Sequence, residues 1–468
     1  MESACSPPKP SGVATTATTE VGDNQRPSGT ASLRGSASEL NQTAEETEPK
    51  VLNETLLEQV LGEDNVRSAY RAVLANRGAP GIDHLTTTDL GPHLKKYWPG
   101  LKTKILENRY KPSPVRPVEI PKPGGGSRCL GIPTVLDRLI QQSLHQQLDQ
   151  ILDPTFSDNS YGFRRGKSAH DAVRAAKHHV VEEDRVWVID IDIKGYFDAI
   201  DHDILMRELA KQIKDKSVLQ LIGKYLRSGV LKENGKVERS AKGTPQGGPL
   251  SPLLGNFYLD QLDKELESRG HAFCRYADDI TIYAKSQRSA ERIYASITRW
   301  IERYLKLEVN REKSGVRVPS EGSFLGFRIT EKGEIALSAK SIARFKQRVR
   351  EHWRHPHRAE GRVILEQWQR YLRGWVNYFK LSENPWEWRG LEPWIRRHMR
   401  KWFWLRWHNW RGRKRAFERL GIEGPRKKIA HSSRGSWRVA RALNRILSNR
   451  WLREKGFWVP TDLIERLV

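Results

Sequence analysis

Cysteine and methionine are nearly missing from this chain, with three of each in 468 residues. Cys5, Cys129 and Cys274 stand far apart, which argues against a disulfide framework and against a cysteine-based zinc site. A run of about eighteen apolar residues is also lacking, so no membrane span is expected. The first residues have neither an apolar signal core nor the acid-free, Arg-rich pattern of a transit peptide, which makes the cytoplasm the expected compartment. Residues 1–50 contain no Phe, Trp or Tyr and carry 4 Lys/Arg against 7 Asp/Glu. So little apolar surface cannot support a core, and this tail is expected to be disordered. Acid is scarce at the other end: residues 331–468 hold 13 Asp/Glu against 34 Lys/Arg, which is +21 of the total formal charge of +25.

Charge concentrated in this way implies a polyanionic partner, because neutralising phosphates releases counterions and gives affinity without sequence preference. Tryptophan follows the charge: 13 of the 16 lie beyond residue 350. Cations interleaved with aromatic rings suit a folded domain that tracks a phosphate backbone and packs on bases, with most of the Trp in its core.

From residue 51 the apolar spacing is helical, with Leu56, Leu57, Val60 and Leu61 on one face, until Ala79-Pro80-Gly81 breaks it. A second helical stretch runs to about Tyr110. Pro-rich extended chain then leads into Pro121-Lys122-Pro123-Gly124-Gly125-Gly126-Ser127-Arg128, which reads as a hairpin turning on its glycines. Leu139 to Leu152 is helical again. Val186 to Ile193 reads as a strand, with Val188, Asp190 and Asp192 on one face and Trp187, Ile189, Ile191 and Ile193 on the other. Ala272–Tyr276 and Ile280–Tyr283 read as a hairpin with Asp278 and Asp279 at its tip. Beyond Arg350, helices are expected around 361–380, 391–410 and 436–453.

Nucleotidyl transfer by two metal ions needs carboxylates on a rigid platform, close enough to bridge ions roughly 3.5–4 Å apart. Asp192 at a strand end, and Asp278 and Asp279 at a hairpin tip, could supply the hard oxygens for two Mg²⁺ if one sheet brought them together. An Asp-Asp pair in a turn is by itself more often a solvated turn. Asp190 shares the strand face of Asp192, roughly 6.8 Å away, and periodicity does not choose between them.

The company of these residues does. Asp192-Ile193-Lys194-Gly195-Tyr196-Phe197-Asp198, Gly243-Thr244-Pro245-Gln246-Gly247-Gly248-Pro249-Leu250-Ser251-Pro252 and Tyr276-Ala277-Asp278-Asp279 occur in that order. They resemble the motifs of group II intron-type reverse transcriptases. Ile120-Pro121-Lys122-Pro123 and Leu130-Gly131-Ile132-Pro133 resemble the fingers hairpin of the family, and Tyr371 to Phe379 resembles its maturase or thumb segment.

The resemblance, which covers about residues 55–410, implies an α+β right-hand polymerase. Fingers and palm would occupy 51–330, an α-helical thumb/maturase domain 331–410, and a basic nucleic-acid-binding extension 411–468. It selects Asp192, Asp278 and Asp279 as catalytic metal ligands and leaves Asp190 as a solvated or supporting residue. Arg116, Lys122 and Arg128 would meet the triphosphate, offsetting charge on the leaving pyrophosphate. Phe197 would be the ring that excludes a ribose 2′-hydroxyl. Gln246 would contact sugar or template, with Gly247 and Gly248 letting backbone approach the base pair. Lys313 would serve pyrophosphate, and Phe324 to Phe327 would grip the primer. Arg164, Arg165 and Lys167, then Arg396, Arg397, Arg400 and Lys401, would hold RNA phosphates.

Implied partners are a group II intron RNA, an RNA template with a DNA primer or target, and dNTPs; implied activities are intron splicing and copying of the intron into DNA during retrohoming. The paired cysteines of a zinc-supported endonuclease are not seen after Cys274. The resemblance to endonuclease-free members then implies priming from a nascent strand. Two other readings stay open: a free-standing reverse transcriptase serving defence or repair, and a non-catalytic RNA-binding splicing cofactor.

Overall fold

The computed structural model describes residues 55–121, 127–355, 357, 359–433 and 435–465. The tail expected to be disordered, and Lys122, lie outside them, as does the side chain of Arg128.

Strand β1 (Arg116–Pro121) pairs antiparallel with β2 (Ser127–Ile132), as the glycine-turned hairpin predicted. The central sheet uses β3 (Trp187–Ile191), and a small ribbon formed by β4 (Val230–Leu231) and β5 (Val237–Glu238) stands apart. Next come β6 (Ala272–Tyr276), β7 (Asp279–Ala284) and β8 (Gly315–Arg317). The sheet order is β6-β7-β3-β8, every neighbour antiparallel. Strands β9 (Phe327–Ile329) and β10 (Ile335–Leu337) form a hairpin between this sheet and the C-terminal helices.

The alternation along β3 works as expected. Ile189 and Ile191 enter the main core with the helix Ser251–Ser268, while Val188 packs on the other face with the helix Ala169–Val181 and with Phe324 and Phe327. Apolar cover on this second face ends at Val188, and the acids follow where it opens.

The basic C-terminal region is helical because its apolar residues recur every three to four positions. In the helix Gly361–Phe379 the buried stripe is Ile364, Trp368, Leu372, Val376 and Phe379. The helices Ala339–His352 and Pro385–Arg406 pack against it. Of the Trp residues here, Trp353, Trp368, Trp388, Trp402 and Trp404 are buried, whereas Trp386, Trp410 and Trp437 are exposed.

The expected division at residue 410 does not match the packing. Residues 410–447 close around their own small core of Phe417, Ala430, Leu443 and Leu447 under Trp404, but Leu452, Phe457, Val459 and Leu463 return to the core of the 339–406 helices. No helix among the described residues is long and apolar enough to cross a membrane.

Candidate active site and nucleic-acid surface

Register brings the acids together. Ile191 pairs with Ile280, and continuing that register by one residue sets Asp192 opposite Asp279. Tyr276 pairs with Asp279, so Ala277 and Asp278 form a two-residue turn with Ala277 in the left-handed region at φ 58°. A non-glycine residue there needs support. Arg275 supplies it: Nη1 donates to the carbonyl of Ala277 at 3.0 Å and to Asn256 Oδ1 at 3.0 Å.

From the other side, the backbone of Gly162 closes on the turn. A Cβ on Gly162 would lie 2.4 Å from the amide nitrogen of Ala277, and its carbonyl accepts from Asn256 Nδ2 at 2.6 Å. The segment around Gly162 therefore braces the hairpin that carries Asp278 and Asp279. Sequence reasoning missed Arg275, Asn256 and Asp263. Their signal was a charged residue inside an otherwise apolar strand, Ala272-Phe273-Cys274-Arg275-Tyr276.

Asp279 keeps solvent access on one side while the cleft walls surround it. That enclosure, and then the charges of Asp190, Asp278 and Asp192, push its carboxyl up to about 7. The three expected ligands thus feel one another. Among the described residues, no three Asp, Glu, His or Cys side chains enclose a point as a finished ion cage. The donor set nevertheless fits a hard divalent cation: oxygens on adjacent strand ends whose mutual repulsion such a cation would relieve.

Asp190 is not a solvated residue. It pairs with Arg317 Nε at 3.1 Å and accepts from Thr281 Oγ1 at 3.3 Å, so its charge has a partner within the protein. Lys313 Nζ stands 3.8 Å from Asp192 Oδ2.

Phe197 follows Gly195 and Tyr196 on the short helix Tyr196–Ala199, half-buried against the main core. A Cβ on Gly255 would come 3.0 Å from its ring, so the helix Ser251–Ser268 backs it directly. Gln246 donates to Asp198 Oδ1 at 3.0 Å, and its carbonyl accepts from the amide of Gly131 at 2.8 Å, joining this loop to the fingers hairpin. Gly247, at φ 128°, and Gly248 have reasons within the fold: Cβ atoms there would meet the Gly131 carbonyl at 2.8 Å and Gln141 Oε1 at 2.3 Å. Arg116 opens β1, and its buried Nε has no hydrogen-bond partner among the described residues.

A groove of about 600 Å³ runs from Asp279 past Leu325 and Gly326 to Lys340, Arg344, Tyr371 and Tyr378. The segment expected to grip a primer therefore lines a passage between the acids and the helical domain.

Several expected phosphate contacts are corrected by burial. Arg396 is 1% exposed and bonds Glu392 at 2.7 Å and both carboxylate oxygens of Asp462 at 3.1 Å. Arg400 is buried and donates to the Leu447 carbonyl at 2.8 Å and to Asn449 at 2.6 Å. Arg164 is spent on Asp153, Ser157 and Ser160, with Nε 2.7 Å from Asp153 Oδ1. These three hold the fold and cannot turn to RNA without dismantling it. Lys167 is engaged by Asp158 at 2.9 Å, whereas Arg165 is exposed. On the helix Pro385–Arg406, Arg397 is exposed and lies over the Trp437 ring at 4.8 Å, and Lys401 flanks it one turn on.

Comparison with known proteins agrees with this arrangement. The family described as "Reverse transcriptase (RNA-dependent DNA polymerase)" matches residues 120–329, and "Group II intron, maturase-specific domain" matches 342–421. The chain is 31% identical over 326 residues to Protein YkfC of Escherichia coli, covering 61% of this chain and 85% of that protein. It is 27% identical over 444 residues to the Putative COX1/OXI3 intron 2 protein of Saccharomyces cerevisiae, covering 74% and 51%. Over 200 residues it is 41% identical to the Group II intron-encoded protein LtrA of Lactococcus lactis, covering 42% and 32%. The chain thus spans about half and a third of the length of these two intron-encoded relatives.

The palm is that of an RNA-directed DNA polymerase, a family that depends on divalent metal, and RNA binding goes with both matched domains. With acids, turn and helical domain in these places, the chain belongs to the group II intron-type reverse transcriptases and maturases.

Proposed function

We propose that the protein binds a group II intron RNA, assists its splicing and copies it into DNA during retrohoming, extending a DNA primer on the RNA template with dNTPs. The observation that carries the reading is the register that sets Asp192 opposite Asp279, on a sheet that adjoins the maturase-specific helices.

In this reading Asp192, Asp278 and Asp279 hold two Mg²⁺, which activate the primer hydroxyl and stabilise charge on the phosphates when bound. The chain's own residues do the rest. Phe197, backed by Gly255, occupies the space that a 2′-hydroxyl would need. Gln246, steadied by Asp198, faces the templating pair. Lys313 brings positive charge beside Asp192, where pyrophosphate leaves, and Arg116 reaches the triphosphate from the fingers together with Lys122 and Arg128. On the RNA side, Arg165, Arg397 and Lys401 are the surviving candidates for phosphate contacts.

The test is primer extension by the purified protein on an RNA template across graded Mg²⁺. Synthesis that chelation stops and Asp192→Ala abolishes is expected. No extension at any Mg²⁺ concentration would overturn the polymerase reading.

A further inference from the structure

Away from the cleft at Asp279, two adjoining hollows of about 610 and 540 Å³ form one groove where the helices Gly361–Phe379 and Pro385–Arg406 meet the helix Trp410–Arg419. Each is within the ~300–1,000 Å³ range of ligand sites. Both are bordered by Phe403, Arg406, Trp407, Arg419 and Trp451, and neither shares a residue with the groove that opens on Asp279.

The three rings form a continuous wall, with Phe403 centred 5.7 Å from Trp407 and 5.6 Å from Trp451. All three are half-buried, so part of each ring surface remains available. Among the described residues no Asp or Glu borders either hollow: Arg415 and Arg419 are exposed on one bank and Lys455 on the other, where Arg362 is paired with Glu366 at 2.9 Å. Arg406 is anchored by donating to the Ala359 carbonyl at 3.1 Å and by lying over Trp402 at 5.2 Å.

We propose that this groove is a second nucleic-acid site, which captures an unpaired segment of RNA by stacking its bases on the Phe403–Trp407–Trp451 wall while the flanking arginines hold its phosphates. Aromatic platforms between cations select single strands, because paired bases present no free face. A duplex would meet the banks and leave the wall uncovered. The inference rests on the proposal that the protein handles a folded RNA, and it assigns to that RNA's unpaired loops a docking place separate from the polymerase cleft.

The experiment uses the full chain with its polymerase cleft first saturated by an unlabelled primer–template duplex. The probe is a labelled twelve-nucleotide oligouridine carrying 5-iodouridine. Photocrosslinking is expected at Trp407 or Trp451, and Arg415→Gln/Arg419→Gln is expected to weaken binding about tenfold and to lower the salt slope by about 1.4.

These two arginines are exposed, so the variant tests charge without opening the small core, whereas Trp407→Ala would disturb Phe417, 5.6 Å away. Primer extension on a short template should stay unchanged, which separates failure of this site from failure of the polymerase reading. Unaltered affinity in the double variant, crosslinks confined to other regions, or equal competition by an RNA duplex or by oligodeoxyuridine would each overturn the proposal.

Discussion

The guanidinium of Arg275 lies against the carboxylate of Asp263, Nε 2.7 and 2.9 Å from its two oxygens, and solvent reaches neither side chain. The same guanidinium holds the Ala277 carbonyl, so a buried ion pair in the palm fixes the turn that carries Asp278. Removing one partner of such a pair leaves a stranded charge and costs roughly 3–5 kcal/mol. Arg275→Leu is therefore expected to lower the Tm sharply. Arg275→Lys keeps the charge but cannot reach Asp263, Asn256 and Ala277 together. It should stay folded and lose ~10–100-fold in primer extension through misplacement of the turn, with RNA binding retained. Full extension by the folded Lys variant would show that the turn does not depend on this contact.

Polymerisation and RNA holding should separate. Asp278→Ala/Asp279→Ala is expected to abolish DNA synthesis while splicing of a bound intron continues, because splicing assistance rests on phosphate contacts and shape. Arg397→Gln/Lys401→Gln should do the reverse, weakening RNA binding and lowering its salt slope by about 1.4–1.8. Parallel loss of splicing and synthesis in the palm variant, with the protein still folded, would contradict the division.

Arg396→Gln should behave differently from its neighbour. It strips a partner from the buried Asp462, which would retain Arg453 at 2.6 Å. A loss of stability toward the lower end of ~3–5 kcal/mol is expected, read by denaturant titration. An unchanged midpoint combined with weaker RNA binding would return Arg396 to the phosphate-binding set.

Phe197→Val shortens the ring that Gly255 supports. Ribonucleotide incorporation should rise on the order of tenfold or more relative to dNTP use, measured as a ratio of kcat/KM values. If sugar discrimination stayed the same while dNTPs were used normally, another residue would be the gate.

His398 packs edge-on against Trp394 with ring centroids 4.5 Å apart. Burial, then the charges of Lys401, Arg350 and Arg397, lower its pKa from 6.5 to about 4. The folded state therefore disfavours the proton that the unfolded chain takes up. The stability linked to neutral His398 is complete above about pH 6.5 and is lost as pH falls toward 4. The Tm of the wild-type protein should fall more steeply over that window than that of His398→Gln, and identical pH profiles would exclude the linkage.

The palm was largely readable from sequence because its signals are local. Alternation along Val186–Ile193 separates a core face from an acid face, and two short runs around Ala277-Asp278 leave room only for a tight turn. Choosing Asp192 over Asp190 needed the motif, and periodicity had no access to Arg317, which lies 127 positions away from Asp190 and pairs with it.

The helix Pro385–Arg406 defeated the same kind of reading. Arg396 and Arg400 form one stripe, Arg397 and Lys401 the next, and composition cannot tell which faces inward. The decision belongs to Asp462 and to the Leu447 carbonyl, both remote in sequence. Arg164 was misread for a related reason, since its acceptors are mostly backbone carbonyls that no residue type announces.

The return of Val459 and Leu463 to the helical core has a consequence for synthesis on the ribosome. Fingers and palm can close as soon as about residue 330 has emerged, since their strands and helices find one another within that span. The helical domain cannot, because Arg396 waits 66 residues for Asp462. Through that interval the nascent chain carries a half-built basic domain with its Trp-rich core open, beside a finished polymerase. Apolar surface exposed on such an intermediate is an aggregation hazard until Asp462 arrives.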